Sequence, residues 1–321
     1  MKNTAYPNIS AFMEKFGTGC SDGFEKGFVS VLTKAEKYAA SINKPLTEFT
    51  KQDFIGLFNS CKWVASRSSF DTNKMRIIRY LNFLFDTQDA VDTNRVTVIN
   101  DLSGLKAEEL DESALKQKFF ASESDFLKYI DSLDEECIVE KIILLLYWVG
   151  FTTEAIPSLR RHDIHKSAST IGTISCSAQI LSRVIELSER DFYRAKTTGN
   201  VVRRFDFENT DYLVRKTINH VKEGEEGTPI LPSTICSRMR RLRERGGKKH
   251  VNDFSASSLA LNRRFCDDYD YETRTGVELT PSCYVVNSAV NPSERMDTNN
   301  KACIYIIKYN QWKRVFHPIP N

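Results

Sequence analysis

The sequence predicts a mainly α-helical protein with a small antiparallel β-sheet, an α+β fold in two domains. Apolar residues recur at spacings of three and four through most of the chain, which is typical of amphipathic helices. Only residues 163–207 change to short β-branched runs separated by turn residues. A length of 321 residues with 41% apolar content is enough for two cores.

Residues 1–100 predict a helical domain with four helices. A short helix covers 9–16, and a longer one over 22–42 carries Phe28 and Val31 on one stripe. Thr50 is placed to cap the third helix, and Asp71 or Thr72 to cap the fourth, whose core stripe would include Met75. The next interval is polar apart from a β-branched run over 96–99, so we expect a linker at 101–115.

Residues 116–321 predict the second domain. Ser122 should cap one helix, and an almost wholly apolar helix ending at Gly150 should lie at the domain centre. Strands are expected over 170–175, 180–187 and 201–207, and helices over 212–221, 234–245 and 255–268. The tail over 303–316 fits either a helix or a strand.

Composition and charge limit the classes of function that the sequence allows. A net charge of +3 and a pI near 8.3 permit nucleic-acid binding without requiring it. The longest apolar run, 142–151, is shorter than the about 18 residues of a membrane span, and the N-terminus lacks a hydrophobic signal region. Eight scattered cysteines without a CxxC pair indicate buried thiols in a reducing compartment. We therefore expect a cytoplasmic protein with no membrane partner.

The stretch IILLLYWVGFTTEAIPSLRRHDI, residues 142–164, resembles the first signature box of the tyrosine recombinases, the phage integrase family. In that family an apolar helix ends at Gly, and the next-but-one residue is an arginine that holds the scissile phosphate. Here Gly150 is followed by Phe151 and Thr152, whereas Leu159 and Asp163 match the rest of the motif. The resemblance implies a two-domain clamp around duplex DNA in which Thr152 replaces the first arginine.

The second box of the family reads His-x-x-Arg near the start of a helix, and residues 254–260 resemble it. This alignment places Ser257 at the histidine and Ala260 at the second arginine. Guanidinium groups supply the positive field that stabilises a five-coordinate phosphoryl transition state. Because Thr, Ser and Ala cannot supply it, the resemblance implies a protein that is not an enzyme and has no catalytic residues.

Two remnants and one alternative alignment keep an active recombinase open. Lys196 falls in a predicted hairpin where the family has a lysine that protonates the leaving oxygen, although an exposed turn lysine fits equally well. Tyr305 and Tyr309 lie in the tail where the nucleophile would fall, although packing is the commoner role of such aromatics. The arginines displaced from the motif positions are Arg160, Arg161, Arg263 and Arg264.

The predicted DNA contacts are concentrated on the helix over 234–245, where Ile235 and Met239 would face inward and Glu244 is the only acid. Arginine suits forked contacts to phosphate and to guanine. The main cluster is Arg238, Arg240, Arg241, Arg243, Arg245, Lys248 and Lys249, and the supporting candidates are Lys196, Arg203, Arg204, Lys74, Arg76 and Arg79.

The sequence thus predicts a sequence-specific double-stranded DNA-binding protein, a transcriptional repressor that maintains phage lysogeny in the bacterial cytoplasm, associated with the nucleoid. His162 and His165 flank Asp163, but no cysteine is near, so neither a metal ion nor another cofactor is expected. The alternatives are an active recombinase and an accessory protein that binds a recombinase through its tail. A homo-oligomer formed through the tail and a regulatory protein or peptide remain open as further partners.

Overall fold

The computed structural model describes residues 6–17, 21–61, 63, 67–87, 94–111, 113–196, 201–221, 223–245, 254–285 and 299–318. Within them the chain is mainly helical with a small amount of antiparallel β-structure, as the sequence predicted. The helices are α1 Pro7–Phe16, α2 Asp22–Ser41, α3 Lys51–Ser60, α4 Arg67–Thr87, α5 Arg95–Ser103, α6 Ser113–Lys118, α7 Glu123–Ser132, α8 Ile138–Val149, α9 Ala178–Ser188, α10 Pro232–Arg245, α11 Ala256–Thr275, α12 Pro281–Val285 and α13 Asn299–Phe316.

The strands form two antiparallel sheets. One has three short strands in the order β1-β2-β3, and the other is a hairpin of β4 and β5 in which Arg194 lies opposite Arg204. The strands are β1 Ile164–His165, β2 Thr170–Ile171, β3 Ile174–Ser175, β4 Phe192–Lys196 and β5 Val202–Asp206. Short 3-10 turns at Ile156–Ser158 and Arg161–Asp163 connect α8 to β1.

The chain divides into two compact units. Unit 1 consists of Met1–Leu115 and Tyr284–Lys308, and unit 2 consists of Lys116–Cys283 and Tyr309–Asn321. The division after Leu115 lies where the second domain was expected to begin. The segment Tyr284–Lys308, which we had placed in the second domain, belongs to unit 1.

The linker predicted at 101–115 is wrong, because part of this segment lies in the core of unit 1. Leu102, Leu105, Ala107 and Leu110 are buried there together with Val98. Val98, Leu102 and Leu105 recur at spacings of four and three, a helical stripe that the β-branched run over 96–99 concealed in the sequence. That run lies in α5 and not in a strand.

Unit 1 packs its helices around a core rich in aromatic residues. The predicted cap at Thr50 is confirmed, since its Oγ1 accepts a hydrogen bond from the Asp53 backbone N–H and the Asp53 carboxylate accepts one from the Thr50 N–H. Helix α4 begins earlier than predicted, at Arg67, and buries Ile77 and Tyr80. Met75 is exposed, so the core stripe that we predicted for this helix is wrong at that position.

Unit 2 is built around α8, which is buried almost throughout and ends as predicted at Gly150. Gly150 adopts a left-handed conformation with φ of 116° that closes the helix. Trp148 stacks on Phe126 with a ring separation of 4.3 Å, and Ser122 caps the helix that carries Phe126. The tail is helical, and its Trp312 indole donates to the Phe120 carbonyl at 3.0 Å.

Two predicted elements of unit 2 are wrong. The strand predicted over 180–187 is helix α9, because Ser177 accepts a hydrogen bond from the Ile180 N–H and apolar residues follow at helical spacing. The helix predicted over 212–221 is mostly irregular, with single β-bridges joining Arg160 to Tyr212 and Phe207 to Thr217. Among the described residues, no helix has both the length and the apolar character needed to cross a membrane.

Candidate nucleic-acid interface

Helix α10 presents a cationic face to solvent. Ile235 and Met239 are buried, which confirms the inward stripe predicted for this helix. Arg240, Arg241 and Arg243 are exposed. The side chain of Arg245 and the residues Lys248 and Lys249 lie outside the described part of the chain.

Arg238 differs from its neighbours because it forms a buried ion pair. Its Nη1 lies 3.1 Å from Oε1 of Glu140 on α8, and the two side chains are 16% and 10% exposed. The other carboxylate oxygen of Glu140 is buried without a hydrogen-bond partner among the described residues. Arg238 therefore attaches α10 to the central helix, a role that competes with the predicted contact to DNA.

The β4–β5 hairpin carries a second group of exposed cations. Arg194, Lys196 and Arg204 lie on one face, because residues at every second position of paired strands point the same way. The Arg204 guanidinium stacks 3.8 Å from the Phe192 ring centroid, and its Nε donates to Asp206 at 2.7 Å. Arg203 is exposed on the opposite face. The predicted turn residues 197–200 lie outside the described residues.

The hairpin and α10 line one cleft in unit 2, with a volume of about 770 Å³. The structure thus brings together Lys196 and Arg241, which are 45 positions apart in the sequence. Tyr193 and Phe205 supply aromatic walls, and Glu136 is among the acidic residues of the lining. The cleft is therefore amphipathic with cations at its hairpin and α10 sides.

Sequence reasoning missed two cations of this region. Lys216 lines the cleft and donates to Thr228 Oγ1 at 2.6 Å, but the helix predicted over 212–221 gave no sign of this position. Arg215 is 5% exposed and donates to the carbonyls of Ser188 and Arg190. Burial and the neighbouring Arg161 lower the pKa of Arg215. No sequence pattern distinguishes such a buried arginine from a surface one.

In unit 1, two of the three predicted DNA contacts on α4 are engaged in packing. Lys74 Nζ donates to the carbonyls of Ser103 and Leu105, each at 3.2 Å. Arg76 lies 5.2 Å over the Phe28 ring. Arg79 is exposed.

The positions that align with catalytic residues make local contacts. Thr152 Oγ1 accepts a hydrogen bond from the Ala155 N–H at 3.3 Å, and Ser257 Oγ lies 3.1 Å from Ser255 Oγ at the start of α11. Ala260 carries no polar group. These three side chains supply no positive charge.

Two of the displaced arginines, Arg263 and Arg160, contact other parts of unit 2. Arg263 donates to the carbonyls of Val149 and Ser175 at 2.9 and 2.8 Å. The Arg160 guanidinium lies 4.7 Å over the Tyr212 ring. Both contacts tie secondary structure elements of unit 2 together.

The two tail tyrosines are buried. Tyr305 packs against Tyr284 with a ring separation of 5.1 Å. Tyr309 donates its phenolic hydrogen to Glu272 Oε2 at 2.9 Å, and Lys313 Nζ lies 2.8 Å from the same oxygen. The phenol of Tyr309 is thus held by an acceptor within unit 2.

The two histidines considered as metal ligands, His162 and His165, have different surroundings. His162 Nδ1 lies 2.8 Å from Asp211 Oδ2, and His165 is exposed at the end of β1. Across the described residues, no group of three or more potential metal-binding side chains is present. Comparison of the chain with models of protein families gives no match, and comparison with curated proteins gives none either.

Proposed function

We propose that the chain binds double-stranded DNA sequence-specifically without cleaving it and acts as a transcriptional repressor of a phage or prophage. The observation that carries the proposal is the exposed cationic face of α10, formed by Arg240, Arg241 and Arg243. Of these, Arg241 lines one cleft together with Lys196 of the hairpin. Both elements belong to unit 2 and border the same cleft.

The physical chemistry of α10 suits a recognition helix. An α-helix fits the major groove of B-form DNA, which is about 12 Å wide. Arginine forks contact guanine or phosphate through two donors at once. The buried pair of Arg238 and Glu140 joins α10 to α8, so the exposed arginines lie on a helix whose position is fixed. The adjacent hairpin cations add phosphate contacts that do not depend on base sequence.

Absence of cleavage is part of the proposal. The supporting observation is that Thr152, Ser257 and Ala260 occupy the positions at which the resembling family carries two arginines and a histidine. A protein with this fold that binds DNA without cleaving it can block transcription by occupying its DNA site. The length and order of elements resemble the integrase-fold repressors of SPβ-like Bacillus prophages.

The test is footprinting of the protein across its source genome, followed by affinity measurements on the sites that it protects. Changing Arg240 and Arg243 to Ala should weaken binding to a protected site by at least about tenfold, since a bidentate base contact contributes roughly 1–3 kcal/mol. Fluorescence anisotropy against salt concentration supplies the second readout. Lys196→Ala should weaken all sequences alike and reduce the log–log salt slope by about 0.9.

The matched control is Arg274→Ala, which removes an exposed arginine from α11 of the same unit. This variant should leave the footprint and the salt slope unchanged. An intact footprint after the Arg240 and Arg243 changes would show that α10 is not the recognition helix. Equal affinity for protected and random duplexes would remove sequence specificity from the proposal.

A further inference from the structure

An apolar surface lies between α1, α2 and α4 of unit 1, and neither α10 nor the β4–β5 hairpin contributes to it. Two hollows of about 370 and 350 Å³ adjoin there and share Phe24, Phe28 and Arg79. We call the two hollows together the aromatic groove. Its apolar lining consists of Phe12, Met13, Phe16, Phe24, Phe28, Phe83 and Met75.

The groove exposes large apolar side chains that a surface without a partner would ordinarily bury. Phe16 and Met75 are each 50% exposed, and Phe24 is 40% exposed. Single exposed apolar residues are common on proteins, but contiguous ones mark sites of interaction. These three belong to one continuous lining, so they indicate a binding surface.

The floor of the groove is preformed. Phe12 is buried and packs against Phe16, Phe28 and Phe83 with ring separations of 5.0, 5.9 and 5.5 Å. Phe24 in turn lies 4.8 Å from Phe28. Rings fixed on three helices lose little conformational freedom when a partner binds, which favours affinity.

Three cations and two acids border the groove. Lys15 Nζ lies 5.4 Å from the Phe16 ring centroid and 5.8 Å from that of Phe83. Arg76 and Arg79 line the second hollow. Of the two acids in the lining, Asp86 is held by Arg95 at 2.8 Å, and the other is Asp71. Because Arg95 offsets the charge of Asp86, the border carries an excess of positive charge, which complements an acidic ligand.

We propose that the aromatic groove binds an acidic amphipathic helix of a partner protein. Two or three apolar side chains of that helix, spaced three, four or seven residues apart, would enter the hollows, as in other helix-in-groove complexes. Acidic residues beside these anchors would face Lys15, Arg76 and Arg79. Such a partner would give the chain a site for protein control built from other residues than α10 and the hairpin of the proposed DNA contact.

A second copy of the tail of this chain is an alternative occupant of the groove, but its charge does not fit. The exposed apolar residues of α13, Ile304 and Ile307, are accompanied by Lys301 and Lys308. A basic helix would be repelled by the cations of the groove. Duplex DNA satisfies the charge but offers no apolar side chains for the hollows.

The test uses the full chain and a fluorescein-labelled helical peptide of about 16 residues, roughly four turns, with Leu and Trp anchors on one face and Glu on the other. Fluorescence anisotropy should show saturable binding of this probe. Phe24→Ser should weaken it by at least about tenfold, as expected for a buried aromatic contact, and Arg79→Glu by at least about fivefold. A probe with Lys in place of Glu should bind at least about tenfold more weakly.

Two matched controls lie on unit 1 outside the groove. Val96→Ser removes an exposed apolar residue of α5, and Lys37→Glu reverses an exposed charge of α2. Both should bind the Glu probe like the unmodified chain. Phe16→Ser is the second groove variant, and circular dichroism melting shows which variants are folded.

Failure of the Glu probe to bind, equal binding of the two probes, or full binding by both folded groove variants would overturn the proposal. Displacement of the probe by a short DNA duplex, together with weaker DNA binding by Phe24→Ser, would assign the surface to DNA instead. The Arg240 and Arg243 variants separate the two proposals, since they should lose DNA binding and retain the probe.

Discussion

Arg238 and Glu140 show how a residue that looks like a DNA contact can serve the fold instead. Both side chains are largely withdrawn from water and lie 3.1 Å apart. A charge buried with a partner is tolerated, but the same charge left alone is strongly destabilising. The pair should therefore matter for the stability of unit 2 and for the placement of α10.

Removing one member of this pair should cost more than removing both. We expect Glu140→Ala to lower the free energy of unfolding by about 3 kcal/mol, because it leaves the Arg238 guanidinium buried without its carboxylate. Urea denaturation followed by circular dichroism measures this loss. The double variant Glu140→Leu, Arg238→Leu should recover most of it, since apolar residues of similar volume fill the site.

Equal stability of Glu140→Ala and the unmodified chain would show that the ion pair contributes nothing to folding. A double variant as unstable as the single one would show that the loss comes from packing and not from the uncompensated charge.

Local sequence patterns predicted which side chains of a helix are buried, but they did not predict contacts between residues far apart in the sequence. Periodicity predicted that Ile235 and Met239 face inward, and the structure buries both. The same periodicity placed Arg238 among the exposed cations, because its partner Glu140 is 98 positions away and belongs to an apolar helix. Nothing in the local sequence signals such a contact.

At the scale of elements, the end of α8 depends on the backbone of Gly150. Its φ of 116° is a conformation that L side chains rarely adopt, although an added Cβ would meet no atom within 4 Å. Gly150→Ala should therefore reduce the free energy of unfolding by about 1 kcal/mol through backbone strain alone. Thermal or urea unfolding provides the measurement.

The control for this substitution is Gly23→Ala. An added Cβ at Gly23 also meets no atom within 4 Å, but this residue lies in α2 with ordinary helical backbone. Alanine should be neutral or stabilising there. Similar effects of the two substitutions would contradict a conformational role for Gly150.

Element type was predicted well where caps and periodicity agreed. Thr50 and Ser122 each precede an apolar stripe, and each caps a helix as expected. Residues 180–187 were assigned to a strand because Ile and Val suit both structures, and the cap at Ser177 was overlooked. The tail is helical although Ile304, Ile306 and Ile307 are β-branched. Tyr309 and Trp312 of the same helix pack against Phe265 within unit 2, a tertiary contact that the local sequence does not reveal.

For the molecule as a whole, the proposed absence of cleavage has a direct test. Incubation with a nicked suicide substrate should give no covalent protein–DNA adduct, because the aligned positions lack cations and the Tyr309 phenol is held by Glu272. Denaturing electrophoresis detects an adduct, and an active tyrosine recombinase serves as the positive control. An adduct that disappears in Tyr309→Phe or Tyr305→Phe would contradict the proposed function.

The two-part organisation was visible in the sequence, but its discontinuity was not. The second domain was expected to begin at residue 116, after a linker, and the boundary between the units follows Leu115. Assignment of Tyr284–Lys308 to unit 1 could not be predicted, since this segment follows most of unit 2 along the chain. The groove of unit 1 was equally hidden, because helical spacing predicted that Met75 faces the core.

The discontinuous units set an order for folding during synthesis. The core of unit 1 that extends from Ile9 to Leu110 is complete in the first third of the chain and can form while later residues are still being translated. Unit 2 is different, because Tyr309 and Trp312 cover the Phe265 ring and are made after most of its core. A ribosome stalled before these codons would hold a nascent chain in which the core from Ile9 to Leu110 can already form, whereas the aromatic core of unit 2 is open to chaperones and proteases.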